Sequence, residues 1–399
     1  MKKKVLIVSF DLAIGGVERS LIGLLNSIDY QRYDVDLMLF KHEGEFFPLL
    51  PIGPNLLPED SVYSTFRKSI SQTVHDGHYT IAISRIIAKY FSTIKGKMKQ
   101  VDEPGYLTIQ YGWELSRPFL PKLQKEYDVA IGFLWPHHFI GEKVKAKKKV
   151  GWIHTDYSNI YVDKKAESKM WGNLDQIVAV SEDCSKTFLK FFPDFKAKTM
   201  VIENILSPAF VKQQAEAQIA DEIDRTTGKT IIVSVGRLSH AKGFDNAIRA
   251  CKQLVDRGFD IAWYVVGYGP LENELLQLID ELNLHDHFFL LGKKTNPYPY
   301  IKACDIYVQP SRYEGKAVTI REAQILGKPV VITNFPTARS QAKDGFDALI
   351  TPLGVAGIVE GIQRLMENPG LKEMLSKNVQ SIDYGNEDEI QKLYSLINS

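Results

Sequence analysis

Thr230-Ile-Ile-Val-Ser-Val-Gly-Arg-Leu-Ser-His-Ala-Lys-Gly-Phe244 decides the fold. Thr230 to Val235 is a short apolar run, the pattern of a strand buried on both faces of a parallel sheet. Gly236 to Gly243 is a loop bounded by glycines, and Phe244 to Leu254 repeats apolar residues along one helical face. The same unit opens the chain: Val5 to Phe10 reads as a strand, Asp11 to Gly16 as a loop, and Val17 to Ser27 as a helix. A second beginning so late predicts two similar domains, each a parallel sheet covered by helices, in place of one long sheet.

Strands are expected between these beginnings at Tyr127–Phe133, Lys149–His154, Gln176–Ser181 and Thr199–Glu203. After the second beginning, strands at Ile261–Val266, Phe288–Leu291, Ile306–Gln309 and Val330–Thr333 alternate with helices at Leu271–Leu282, Ala317–Leu326 and Val355–Glu367. A linker is placed near residues 204–227, where Gln213 to Thr227 is polar and lacks a clear core face. The expected division is 1–205, 206–375, and a C-terminal helical segment over 376–399.

The 399 residues exceed one ordinary core and fit two domains. With 44% hydrophobic and 24% charged residues, the composition excludes a disordered, collagen-like or mainly membrane-embedded chain. Lys and Arg number 49 against 48 Asp and Glu, so the net charge of +1 lacks the field of a dedicated nucleic-acid binder. Cys184, Cys251 and Cys304 are widely separated, without disulfide or zinc spacing, which points to a reducing cytosol. The start resembles a signal peptide, but Asp11 interrupts its apolar run and no small-residue cleavage site follows. No stretch reaches the roughly 20 apolar residues that cross a bilayer, so membrane contact would be peripheral, at the inner face of the cell membrane.

Residues 67–100 hold seven Lys or Arg and a single acid, Asp76. Ile81, Ile83, Ile86, Ile87 and Phe91 could form the apolar stripe of a basic amphipathic helix on a membrane. The competing reading is a helix packed on its own domain with a solvated basic face. Lys143, Lys145, Lys147, Lys148 and Lys149 make a second basic cluster.

Two loops suit an anion. Gly15 and Gly16 let backbone approach a ligand and open a helix whose free amides favour negative charge, although a Gly-Gly pair can also be a simple turn. In the later loop, Arg237 and Lys242 lie between Gly236 and Gly243, a guanidinium and an ammonium suited to a diphosphate. Pro310 to Ala323 follows a strand and places Glu314 and Glu322 eight positions apart, about 12 Å if every step were helical. Carboxylates accept hydrogen bonds from sugar hydroxyls, and amides at Gly315, Lys316 and Ala317 can face phosphate. Asp34-Val-Asp36 is read as surface packing at the start of a strand. His137, His138, His285 and His287 are read as surface or loop histidines, since spacing sets no third metal ligand.

Gly-Gly-Val-Glu-Arg at 15–19, Val-Gly-Arg-Leu at 235–238, Lys242-Gly243, and Glu314 through Glu322 resemble the family 4 retaining glycosyltransferases of the GT-B fold, in a branch common among bacterial surface-polysaccharide enzymes. The resemblance implies an α/β chain of two Rossmann-like domains facing an interdomain cleft, the first binding acceptor and the second binding nucleotide sugar. It implies that Arg237 and Lys242 bind diphosphate, that Glu314 contacts the donor sugar, and that Glu322 holds the ribose. Gly15 and Gly16 would approach phosphates or acceptor, and His154 would project toward the sugar. Lys316 and Ala317 stand where many members have Phe-Gly, which leaves the sugar open. The family usually needs no metal, so no cofactor is expected. The implied partners are a nucleotide-sugar donor, expected to be UDP-linked, and a glycan or lipid-linked glycan acceptor. A nucleotide-sugar epimerase, a phosphorylase and a non-catalytic nucleotide-sugar-binding scaffold are the alternatives. The C-terminal segment, including Ile390 to Ile397, is expected to cross back to the first domain.

Overall fold

The computed structural model describes residues 2–13, 15–99, 105–155, 157–218, 222–314 and 317–399. Contacts divide the chain into one unit of Met1–Ile205 with Asn386–Ser399, and another of Leu206–Gly385.

The first unit is built on β1 (Lys3–Ser9), β2 (Tyr33–Leu39), β3 (Asn55–Leu56), β4 (Glu126–Gly132), β5 (Lys145–Ile153), β6 (Gln176–Ala179) and β7 (Thr199–Val201). The strands form one sheet in the order β3-β2-β1-β4-β5-β6-β7, with every pairing parallel. The second unit contains β8 (Thr230–Val235), β9 (Ile261–Val266), β10 (Phe288–Leu290), β11 (Ile306–Gln309), β12 (Val330–Thr333) and β13 (Leu349–Thr351). Its order is β10-β9-β8-β11-β12-β13, again all parallel. Each sheet therefore reverses its winding once, beside its first strand: between β1 and β4, and between β8 and β11.

Side-chain alternation explains why these strands read as continuous apolar runs. Ile231, Val233 and Val235 enter one core of the second unit with Tyr264 and Tyr307, whereas Ile232 enters the other with Trp263, Val265 and Val308. The helix Phe244–Asp256 closes the latter core with Phe244, Ala247, Ile248, Cys251 and Leu254 at helical spacing.

Several expectations are corrected. Residues 204–227 do reach a core: the helix Pro208–Gln214 buries Val211, and Ala215 and Ile223 join it. The lysine cluster around β5 is committed to local partners. Lys143 donates to the Leu120 carbonyl and Lys149 to that of Gly141, while Lys147 pairs with Asp128. Asp36 is buried inside the first unit, where it accepts from Asn55, Lys125 and Tyr127. The segment after the second domain divides: the helix Pro369–Gln380 lies in the second unit, and Glu389–Asn398 packs in the first.

Candidate functional site

In open parallel sheets, ligands bind beyond the carboxyl ends of the strands at the point where the winding reverses. In the second unit the loops after β8 and β11 meet there. Gly236 leaves β8 with its amide still donating to the Val266 carbonyl at 3.0 Å. A Cβ on Gly236 would stand 3.2 Å from the Lys242 side-chain carbons, so the lysine stem lies across this glycine. Gly243 closes the loop at φ 67° and starts the helix Phe244–Asp256. Its left-handed conformation suits glycine, and a Cβ would stand 2.2 Å from the Pro310 carbonyl oxygen.

This close approach joins the two loops, and polar contacts reinforce it. Arg312 donates through both terminal nitrogens to Asp245 at 2.7 and 2.6 Å and to the His240 carbonyl at 2.9 Å. Its own amide donates to the Ala241 carbonyl at 2.8 Å. Burial alone would raise the Asp245 pKa, but the hydrogen bonds and charge of Arg312 outweigh it and hold the carboxyl below its ordinary value. The sequence reading missed Arg312 and Asp245; their 67-residue separation offers no local signal.

Between the joined loops, Lys242 Nζ donates to Glu314 Oε1 at 2.5 Å. The same oxygen accepts from Ser311 Oγ at 2.6 Å and Gln309 Nε2 at 3.2 Å. Gln309 and Ser311 are fully buried, and Tyr307 and Thr319 donate to the side-chain oxygen Oε1 of Gln309 at 2.8 and 3.1 Å. This chain of neutral donors fixes Glu314 independently of the lysine. Arg237 is exposed and has no ion pair or hydrogen bond among the described residues.

Glu322 lies on the helix Val318–Ile325, fully buried, and accepts from the Tyr298 hydroxyl at 3.1 Å. Gly315 and Lys316 lie outside the described residues. The Ala317 amide is engaged: it donates to Gln341 Oε1 at 2.7 Å, which corrects the expectation that it stands open to phosphate.

The first unit presents its own switch point. Gly15 precedes the helix Gly16–Ser27 in an extended conformation. A Cβ at Gly15 would fall 2.1 Å from Glu18 Oε2, whereas one at Gly16 would meet nothing within 4 Å. Burial raises the Glu18 pKa against the hydrogen bond its carboxyl makes with its own backbone. That carboxyl thus already faces the helix start expected to receive an anion.

His154 follows β5, its ring centroid 4.6 Å from that of Phe133. Burial pushes its pKa down to about 3, opposed by a hydrogen bond with the Phe133 backbone. Its Nε2 is closed off from solvent and has no partner among the described residues. The imidazole is therefore neutral, and Nε2 is not presented on an open surface. His137 and His138, expected in surface or loop positions, are 1% and 3% exposed. Among the described residues no group of three His, Cys, Asp or Glu side chains is placed to hold a metal.

A further group in this unit was not anticipated. Glu167 is fully buried and accepts from Gln110, Trp135, Tyr157 and Trp171 at 2.5–2.9 Å. Burial raises its pKa, and these four donors oppose the rise. Tyr157 also lines a cavity of about 340 Å³ with Lys95, Tyr161, Asp163, Lys164 and Phe191.

Two sheets of parallel strands, each reversing its winding once, match the GT-B fold of solved glycosyltransferase structures. Crystal structures of HepE from Anabaena with UDP-glucose and TarM from S. aureus share that fold. The first has a TM-score of 0.67 at 17% identity, covering 98% of this chain and 100% of that one. The second, TarM G117R bound to Fondaparinux, alpha-GlcNAc-glycerol and UDP, has a TM-score of 0.66 at 15% identity over 100% of both chains. Residues 216–382, within this second unit, match the family described as glycosyl transferases group 1.

Among curated proteins, similarity extends to N-acetylgalactosamine-N,N'-diacetylbacillosaminyl-diphospho-undecaprenol 4-alpha-N-acetylgalactosaminyltransferase of Campylobacter jejuni. Identity there is 27% over 54% of this chain and 57% of that protein. Alpha-D-kanosaminyltransferase of Streptomyces kanamyceticus is 26% identical over 44% of this chain and 46% of that protein. The chain thus spans about half the length of the curated relatives it matches.

Proposed function

We propose that this chain is a retaining glycosyltransferase that moves a hexose-type sugar from a UDP-linked donor to a hydroxyl of a growing glycan or glycolipid in surface-polysaccharide synthesis. The observation that carries this reading is the Lys242–Glu314 pair, 2.5 Å apart, bridging the two loops at the second switch point. A diphosphate arriving there offers Lys242 a second anionic partner. Ser311 and Gln309 continue to hold Glu314 Oε1 when the ammonium turns, and Oε2, which has no hydrogen bond among the described residues, can accept from a sugar hydroxyl.

As the bond between sugar C1 and phosphate oxygen breaks, positive character grows on the ring and negative charge on the diphosphate. Lys242, with Arg237 from the same loop, binds that charge more tightly in the transition state than in the ground state, which lowers the barrier. In a same-face reaction the departing phosphate oxygen takes the acceptor proton, so Glu314 positions the sugar and does not attack it. Neutral His154 would accept one hydroxyl hydrogen bond once its Nε2 is uncovered. The relatives support both substrate classes: HepE crystallised with UDP-glucose, a donor, and the Campylobacter enzyme is named for transfer to a diphospho-undecaprenol-linked acceptor.

The test is transfer and donor binding by Arg237→Ala and Glu314→Gln. Arg237→Ala is expected to lower turnover about 100- to 1,000-fold, the usual loss for one anion-stabilising contact. Glu314→Gln is expected to weaken selection among donor sugars more than affinity for UDP itself. Unchanged rates in both variants would reject this site, and an epimerised donor formed without acceptor would assign the chain to a different reaction.

A further inference from the structure

The helix Tyr79–Lys99 is inverted with respect to its own unit. Its inward face is small or polar: Ala82, Ser84, Ala88, Ser92 and Gly96 are buried, with Ile81 the single large apolar residue among them. Polar contacts hold it there. Ser92 Oγ lies 2.6 Å from Thr108 Oγ1, and Ser84 Oγ donates to the Leu115 carbonyl at 3.3 Å. Arg85 donates to the Thr65 carbonyl and to Thr73, and Lys95 is committed to Asp163 and Tyr111.

The large apolar side chains point the other way. Tyr79, Ile83, Ile86, Ile87, Tyr90, Phe91, Ile94 and Met98 are each 39–77% exposed. Their spacing places them on one helical face, and at 1.5 Å per residue the stripe runs about 29 Å. Single exposed apolar residues are ordinary, but a continuous stripe of this length marks a surface that works against something apolar. Ile81 belongs to the buried face, which corrects its expected place in the stripe.

We propose that this face docks the protein on an anionic lipid bilayer. Charge selects the occupant: the helix carries five basic residues and no acidic one. Lys89, Lys97 and Lys99 are exposed, and their ammonium groups make no ion pair or hydrogen bond among the described residues. Tyr79 and Tyr90 add rings with polar tips, suited to the headgroup boundary. At about 3.6 residues per turn Lys97 falls within the stripe, Lys89 about 60° beyond its Ile86 edge and Lys99 about 80° beyond its Phe91 edge. Such a face lies in the plane of an anionic surface, with rings and isoleucines below the headgroups and the flexible lysine stems carrying their ammonium groups back to the lipid phosphates. Among the described residues no helix is long and apolar enough to cross a membrane, so the contact is in-plane.

The test uses the full chain and sucrose-loaded vesicles of phosphatidylcholine alone or mixed equally with phosphatidylglycerol. Wild-type protein should sediment with the mixed vesicles, and added salt should release part of it. Ile86→Ser/Tyr90→Ser/Phe91→Ser and Lys89→Glu/Lys97→Glu/Lys99→Glu should each weaken binding at least about tenfold. Because the inward face is untouched, both variants should unfold at nearly the wild-type temperature. Failure of wild-type protein to bind mixed vesicles, or binding by either variant as tight as that of the wild type, would overturn the proposal. So would self-association that the serine variant abolishes without any vesicle binding, which would assign the face to a second copy. Vesicle binding requires no catalysis, so its outcome is independent of the transfer reading.

Discussion

The glycines of the two switch points have different physical duties, and substitution separates them. Gly243 needs its missing Cβ for the fold, because its φ is 67° and the carbonyl oxygen of Pro310 occupies the place a methyl would take. Gly243→Ala therefore combines left-handed strain of about 1–2 kcal/mol with displacement of the Pro310 loop. A loss of about 2–4 kcal/mol in the second unit is expected, measured by urea unfolding. Gly16 is the opposite case. A Cβ there meets nothing within 4 Å, and alanine is the better helix former, so Gly16→Ala should leave stability unchanged or raise it slightly. If this variant also transfers sugar at the wild-type rate, Gly16 touches no ligand; a fall in transfer without a fall in stability assigns it a close backbone approach.

Among the secondary elements, the C-terminal helix Glu389–Asn398 is held in the first unit by contacts more than 180 residues apart in sequence. The Tyr394 ring stacks on Tyr33 at 4.9 Å, and its hydroxyl accepts from the Asp29 amide at 2.7 Å and donates to the Ser27 carbonyl at 3.2 Å. Lys3 and Lys148 satisfy the carbonyls of Ile397 and Leu396 at the helix end, each at 2.8 Å. Tyr394→Ala should cost the first unit about 3–5 kcal/mol and Tyr394→Phe about 1 kcal/mol, since phenylalanine keeps the packing and loses only the hydroxyl. Equal effects in guanidinium unfolding would mean that the ring contributes little. Such pairings explain how far the sequence could be read. The β8 and β11 loops were legible because glycine, Arg237, Lys242 and Glu314 state their chemistry within a few residues of a strand end. Arg312–Asp245 and Tyr33–Tyr394 join distant segments and leave no periodic trace. The stripe from Tyr79 to Met98 was legible as apolar, but its direction depends on how closely Ala88, Ser92 and Gly96 let the next helix approach, which is a tertiary property.

Across the molecule, the two units carry different titrating groups and should separate as the pH falls. In the first, burial depresses His137 and His154 to about 3 and His138 to about 4, with nearby positive groups adding to the effect on His138. These histidines are neutral when folded and bind protons near pH 6.5 when unfolded. Their contribution is complete above about pH 6.5 and declines as the pH falls toward 4, by up to about 1.4 kcal/mol per histidine for each pH unit. Glu18 and Glu167 act in the opposite sense, because burial raises their folded pKa values above the ordinary 4.5. Protonation then favours the folded form, so they soften the decline at its acidic end. The depressed Asp36 and Asp163 lose their contributions only at lower pH, as it falls below the ordinary 3.8 and through their folded values. In the second unit, Asp245 likewise acts below 3.8. Calorimetry from pH 7.5 to 5 should therefore move the melting of the first unit down more steeply than that of the second. His138→Gln should reduce that slope by about one third, because three depressed histidines generate it; an unchanged slope would show that His138 takes up its proton equally in the folded and unfolded chains.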